Sequence, residues 1–149
     1  MRAVIQRVNY AEVCVNQKRV SQIGQGLLVY LGIGNDDNEA DKKYMAEKIP
    51  LLRIFEDSSG KMNLSVKDIQ GEILLVSQFT LYGDCRKGRR PGFDAAMAPD
   101  QARKMFDEIA QMIVNEGYKV KTGIFQAHML VRSENDGPIN ILLDSKKLF

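Results

Sequence analysis

The chain has 149 residues, 44% hydrophobic and 27% charged, with 21 basic and 19 acidic side chains and a formal net charge of +2. That length suits one domain, residues 1–149, which can bury roughly 68–70% of its unfolded surface without covalent staples. A balance so close to neutral gives no bulk attraction to nucleic acid, two cysteines without CxxC spacing and one histidine leave no structural zinc set, and no apolar run approaches the ~18 residues of a membrane span.

Cys14 and Cys85 read as reduced thiols of a cytoplasmic protein, because no signal-peptide segment opens the chain. Met1 to Val15 alternates apolar and polar residues as a long strand, and Asn9 breaks the alternation where a bulge is expected. Val20 to Ile23, followed by Gly24-Gln25-Gly26, predicts a second strand and turn. Gly26 to Gly34 is a continuous apolar run, as in a strand buried on both faces. Asn35 to Asn38 supplies caps for a helix over Glu39–Lys48, with Ala40, Tyr44, Met45 and Lys48-Ile49 as its stripe and Pro50 as its break. Leu51 to Phe55 and Leu64 to Ile69 are predicted as short extended pieces around the turn Glu56 to Gly60.

Glu72 to Phe79 is expected to be the central strand. Its apolar run Leu74-Leu75-Val76 becomes polar at Ser77-Gln78-Phe79-Thr80, and Gly83-Asp84 punctuates the exit. These polar residues read either as the outer half of a half-buried strand or as a fan of donors suited to an acyl or phosphoryl oxyanion. Arg86, Lys87, Arg89 and Arg90 follow as a basic loop suited to phosphates, with a solvated charge run as the plainer alternative. The longest helix is placed at Asp100 to Asn115, where Ala102, Met105, Phe106, Ile109, Met112 and Ile113 form a core-facing stripe; Gly117 is available as its left-handed cap. Val120 to Phe125, Gln126 to Ser133 and Ile139 to Leu143 complete the chain as strands, the last two separated by the turn signal Glu134-Asn135-Asp136-Gly137-Pro138. The sum is an α/β fold, β-rich, with a mostly antiparallel sheet or barrel and two main helices. Strands outnumber helices, so one sheet face is left for a second copy, and a homodimer is expected.

Conventional catalytic motifs are absent. There is no G-x-G-x-x-G, Walker-type loop or H-E-x-x-H, and His128 lies in an apolar run that reads as structural. Ser77 and Thr80 have hydroxyls but no visible base. No cofactor and no metal are expected.

Ser77-Gln78-Phe79-Thr80, the downstream KGRRPGF, and Asn135-Asp136-Gly137-Pro138 together resemble the D-aminoacyl-tRNA deacylase family. MRAVIQRV, RIFEDSSGKMNLSV and TGIFQAHM match it too, in the expected order, so the likeness runs from Met1 to about Asp144. A related branch that edits mischarged tRNA has a different sequence at the SQ position, so Ser77-Gln78 points to the D-amino-acid branch. The resemblance implies a carboxylic ester hydrolase that frees D-amino acids from the tRNA 3′ end and also removes glycine mischarged on tRNA-Ala. It implies that Gly137-Pro138 has a cis bond and lines the partner subunit's pocket beside Ser77, Gln78, Phe79 and Thr80. Arg7 would brace that dipeptide and Met129 would be a pocket residue. Arg86, Lys87, Arg89 and Arg90 are candidates for tRNA contact.

The expected chemistry needs no side-chain nucleophile. N–H groups around Phe79 and Thr80 would hold the tetrahedral oxyanion, and the terminal 2′-hydroxyl of the tRNA would position water. A Gly-Pro wall would occupy the space an L side chain needs. The family commonly continues its Gly-Pro with Val-Thr where this chain has Ile139-Asn140, and carries a small residue where this chain has Gln126. A non-catalytic RNA-binding module using Tyr82 and Phe93 for stacking, and a Thr- or Ser-dependent hydrolase of small esters, are the rival readings.

Overall fold

The computed structural model describes Met1–Phe149. Strand β1 (Arg2–Val15) is the spine of the sheet. Along one edge it pairs antiparallel with β8 (Leu130–Asp144); along the other it pairs first with β3 (Gly26–Gly32) and then with β2 (Lys18–Ile23). Beyond β3 the sheet continues in parallel through β6 (Glu72–Ser77) to β7 (Lys119–Thr122). The far strands curl back toward β2, where Lys121 Nζ donates to Gln22 O at 2.7 Å and the Gly24 N–H to Glu72 Oε2 at 3.2 Å. The result is a nearly closed, barrel-like mixed sheet carrying two helices, with a small separate hairpin of β4 (Phe55–Glu56) and β5 (Met62–Leu64).

Strands β3 and β6 are buried on both faces, which explains their unbroken apolar runs. Leu27, Val29, Leu31, Ile73 and Leu75 face a large core completed by Met45 and Ile49 and by Ala102, Phe106, Ile109 and Ile113. Leu28, Leu74 and Val76 turn to a second cluster with Val8, Ala11, Val13 and Ile23. Helix α2 (Pro99–Asn115) presents the predicted stripe to the larger core and stops at Gly117, whose φ is +86°. No helix is long and apolar enough to cross a membrane.

Helix α1 (Glu39–Lys48) has its predicted bounds and a reciprocal cap between Asn38 and Asp41, but its buried face differs from the predicted stripe. Ala40 is exposed, and Asp41 and Lys42 are buried beside Met45 and Ala46. Asp41 is held there by Lys146 at 2.7 Å and Ser145 at 2.6 Å, Lys42 by Glu39 and Glu108. Ion pairs, invisible to apolar periodicity, set which side of this helix turns inward. The extended piece predicted at Leu51 to Phe55 is strand only at Phe55–Glu56. The one at Leu64 to Ile69 is mostly turn, because the Ser65 N–H and Oγ both bond Asp68 Oδ2 at 2.7 Å.

Two further corrections bear on the site. Strand β6 ends at Ser77, two residues before the predicted end, and Phe79–Tyr82 form a 3₁₀ turn. The last two predicted strands are one strand of 15 residues, β8, which runs through Glu134 to Pro138 without a turn. Its pairing jumps from Gln6↔Asn140 to Val8↔Asn135, so Asp136 to Ile139 stand opposite Arg7 alone. Asn9 is likewise left out of the β8 register, as its break in alternation predicts. The Asn-Asp-Gly-Pro sequence therefore makes a large bulge inside a strand. Before β8, the predicted strands at Val120 to Phe125 and Gln126 to Ser133 are shortened, because residues 123–129 form an irregular loop.

Candidate active site

The 3₁₀ turn after β6 is seated by glycine. A Cβ on Gly32 would lie 2.8 Å from Gln78 O, and one on Gly34 would lie 2.7 Å from the Tyr82 ring. Only bare backbone at the end of β3 lets the turn pack so closely. Below it, Tyr82 Oη donates to Asp37 Oδ2 at 3.2 Å, while the fully buried Asp37 side chain also takes the Gly34 N–H at 2.6 Å and the Met1 ammonium at 2.5 Å. Burial and the adjacent Asp37 charge push the Tyr82 phenol well above its ordinary range. Asp37, read in the sequence only as part of a capping run, is the anchor under the site.

Above this floor lies a cavity of about 600 Å³, bounded by the end of β6, the 3₁₀ turn, the start of α2 and the 123–129 loop. Ser77, Gln78, Phe79 and Met129, all predicted, line it. Its apolar walls are Phe93, Met97, Phe106 and Phe125, of which the sequence singles out only Phe93 (for stacking) and Phe106 (for core). Phe79 is 58% exposed and meets Phe93 edge-on at 5.0 Å. Met129 is located by Gly123, since a Cβ there would sit 2.6 Å from the Met129 Sδ. Thr80 does not line the cavity; its exposed hydroxyl accepts a hydrogen bond from Gln78 Nε2. The turn's first bonded donor is the Leu81 N–H, on Gln78 O at 3.3 Å. The N–H groups of Phe79 and Thr80 precede it and are not used by the turn's own ladder.

Arg7, Gly137 and Pro138 lie elsewhere on the chain. The Gly137-Pro138 bond is cis and both residues are exposed. Arg7 is buried, donates from Nη1 to Ile54 O at 2.9 Å, and brings Nε to 2.7 Å from Asp136 Oδ2. That contact is a close ion pair rather than an aligned hydrogen bond, for Nε has no hydrogen-bond partner. Asn135 Nδ2 spans the bulge to Arg7 O at 2.9 Å and Ile139 O at 3.0 Å. Asn140 donates to Asn135 Oδ1 at 3.0 Å and accepts from Gln6 Nε2 at 2.8 Å. The departure at Asn140 thus closes the bulge at its base. Within one chain the structure brings Ser77, Gln78, Phe79 and Met129 together, and joins Arg7 to the Asp136–Pro138 bulge, but does not bring the two groups to one another.

The basic loop is pinned where Asp84 and Gly92 exchange backbone hydrogen bonds at 2.8 and 3.0 Å, directly before Phe93. Arg86 folds back on Asp84, whose carboxyl is held at about 2 by the Arg86 side chain and N–H. Lys87, Arg89 and Arg90 stay exposed and form no ion pair. His128 and Gln126 also line the cavity. His128 gave no signal in the sequence beyond its apolar company, whereas Gln126 was visible as a large residue at a usually small position. No three His, Cys, Asp or Glu side chains are grouped to hold a metal ion.

A nearly closed mixed sheet with two helices, and a cavity where its parallel strands end, is the architecture of an α/β enzyme. The model of the family described as D-Tyr-tRNA(Tyr) deacylase matches residues 4–144. Two proteins named D-aminoacyl-tRNA deacylase, from Thermosipho africanus and Thermotoga petrophila, are 60% and 56% identical over 149 residues, covering the whole of each chain. A solved structure described as "c-Myc DNA Unwinding Element Binding Protein" superposes with a TM-score of 0.91 at 42% identity, covering 97% of this chain and 98% of its own. The chain belongs to the D-aminoacyl-tRNA deacylase family.

Proposed function

We propose that this deacylase cleaves the ester of D-aminoacyl-tRNA in the cavity at the end of β6, and that the site is completed by the bulge of a second copy. The carrying observation is the separation just described: Ser77, Gln78, Phe79 and Met129 make a cavity, while Arg7, Gly137 and Pro138 form an exposed bulge away from it. The bulge contributes no residue to the cavity of its own chain. The edge of β8 not paired with β1 is open over a 15-residue strand, and Leu130 and Leu142 are 53% and 61% exposed on it. Such an edge calls for a cover, and a homodimer supplies one.

In this reading the aminoacylated 3′ end enters between Phe79 and the apolar wall. The Phe79 and Thr80 N–H groups receive the oxyanion as water adds to the ester carbonyl. The ribose 2′-hydroxyl positions that water, and the leaving 3′-oxygen takes up a proton as the D-amino acid departs. The partner's Gly-Pro segment occupies the side of the carbonyl where an L residue would project. Glycyl esters pass because they have nothing to exclude. The work belongs to the cytoplasm, where charged tRNA is used, and Lys87, Arg89 and Arg90 face the approaching phosphates.

Mixing tests the shared site. A Phe79→Ala chain, which loses the wall that seats the 3′ end, and a Gly137→Ala chain, each strongly impaired alone on D-aminoacyl-tRNA, regain activity when exchanged into mixed dimers, because half of the mixed sites pair an intact cavity with an intact bulge. No recovery on mixing means that each chain works alone. An RNA-binding module would show no ester cleavage in the same assay, and a small-ester hydrolase would cleave a free D-amino-acid ester equally well.

A further inference from the structure

Gln126 is the third residue of the turn Ile124–Ala127, which the Ala127 N–H closes on Ile124 O at 3.2 Å. Gln126 has φ +63°, a left-handed conformation that glycine adopts freely and a long side chain rarely does. Its side-chain amide oxygen Oε1 accepts a hydrogen bond from Arg103 Nη2 at 3.3 Å, and the residue lines the cavity. The turn accounts for that φ; what is particular to Gln126 is that the turn delivers its side chain to Arg103.

Arg103 is the other half of the contact. It stands one turn into α2, next to the cavity-lining Ala102, with its guanidinium 5.0 Å over the Phe125 ring. Phe125 is itself fixed against Phe106 at 6.0 Å. Arg103 is exposed and has no carboxylate partner, although Asp100 and Asp107 lie three and four residues away on the same helix. An aromatic face and an amide oxygen thus hold a full positive charge in place without neutralising it. The held cation lies against Phe125 and Gln126, which line the cavity, and the loop that carries Lys87, Arg89 and Arg90 closes at Gly92, directly before the cavity-lining Phe93.

We propose that Arg103 binds a phosphodiester of the RNA strand leading into the cavity, and that Gln126 is a positioning residue that aims its guanidinium. This rests on the cavity receiving the aminoacylated 3′ end. A planar guanidinium suits a phosphate because two N–H groups meet two oxygens at once.

The test compares D-aminoacyl-tRNA with D-aminoacyl-adenosine, which has the ester and the 2′-hydroxyl but no phosphate. Arg103→Ala is expected to lower kcat/KM on the tRNA about tenfold more than on the adenosine ester, through KM, because a charged hydrogen bond of that strength is lost. The slope of log KM against log salt should fall by roughly 0.7, the share of one single-strand phosphate contact. Arg103→Lys, which keeps charge without the fork, should fall between. Gln126→Gly should raise KM on tRNA about threefold and leave kcat in place. Equal losses on both substrates, or an unchanged salt slope, overturn the proposal; if the adenosine ester proves too slow to follow, the salt slope alone decides. A wild-type protein that cleaves no D-aminoacyl-tRNA overturns instead the assignment of the cavity, and this inference with it.

Discussion

Two tetrapeptides serve the proposed site in opposite ways. Ser77-Gln78-Phe79-Thr80 ends a strand buried in the middle of the sheet, backed by the close packing of Gly32, Gly34 and Tyr82 and by the buried carboxylate of Asp37. Asn135-Asp136-Gly137-Pro138 interrupts a strand paired on one edge, and polar contacts from Arg7, Gln6 and Asn140 hold it. The first can be shaped by its own chain because it is backed by core. The second protrudes, so its shape has meaning only against something outside the chain.

The largest effect separating the two halves is expected at Gly137. Its φ is +114°, and an added Cβ would lie 2.8 Å from Ile139 Cγ1, so Gly137→Ala must reshape the bulge. We expect a loss of about 10²-fold in D-aminoacyl-tRNA cleavage, the scale of a 1 Å misplacement at a reacting group, with the cavity intact. Thermal unfolding beside the deacylation assay checks it; a fall in both would deny the bulge its separate role.

Gly34→Ala strikes the packed half. The new methyl would meet the Tyr82 ring at 2.7 Å, and overpacking of this kind costs about 1–3 kcal/mol, read as a lower unfolding midpoint in urea. A smaller, pH-confined effect belongs to Asp41. Burial alone would raise its pKa, but hydrogen bonds from Lys146, Ser145 and the Asn38 N–H outweigh burial and hold it at about 2, against an ordinary 3.8. A carboxyl depressed on folding stabilises above its unfolded pKa and loses that contribution as pH falls toward the folded one. Melting points should therefore drop between about pH 4 and 2, and Asp41→Asn should flatten that segment while lowering stability at neutral pH.

The smallest change is expected from Thr80→Ala. The hydroxyl is outside the cavity and bonded to Gln78, and the backbone N–H is kept, so activity should stay far from the ~10²–10³ loss of a missing oxyanion donor. Single-turnover deacylation checks this. A dead Thr80→Ala enzyme would make the hydroxyl a nucleophile.

What the sequence made legible follows the same division. Periodicity found β1 and α2, because burial on a fixed face leaves a regular trace, while an unbroken apolar run found β3 and capping residues bounded α1. It missed the buried side of α1, where Asp41 and Lys42 point inward on ion pairs, and the role of Asp37, a carboxylate buried by three donors. Glu134 to Pro138 has the composition of a turn, yet pairing of β8 with β1 on either side carries the strand through it. Local propensity sees the kink but not the partner strand that spans it. Motif resemblance named Ser77 to Phe79 and Met129, which meet in the cavity; the walls from Met97 and Phe125 needed the third dimension.

The bridge between Asp84 and Gly92 sets a length scale for recognition. Seven residues lie between these two posts, so the tip of the loop can stand at most about 12 Å from its base, half the contour of an extended segment. If the loop meets tRNA as proposed, its cations would reach only the few phosphates nearest the cavity mouth, the part of the molecule that every tRNA ends in alike. A short anticodon-free RNA bearing the same 3′ end should keep nearly all of the loop's contribution. The reach of one small hairpin would thus make the enzyme indifferent to which tRNA it holds, and leave chirality as the thing it reads.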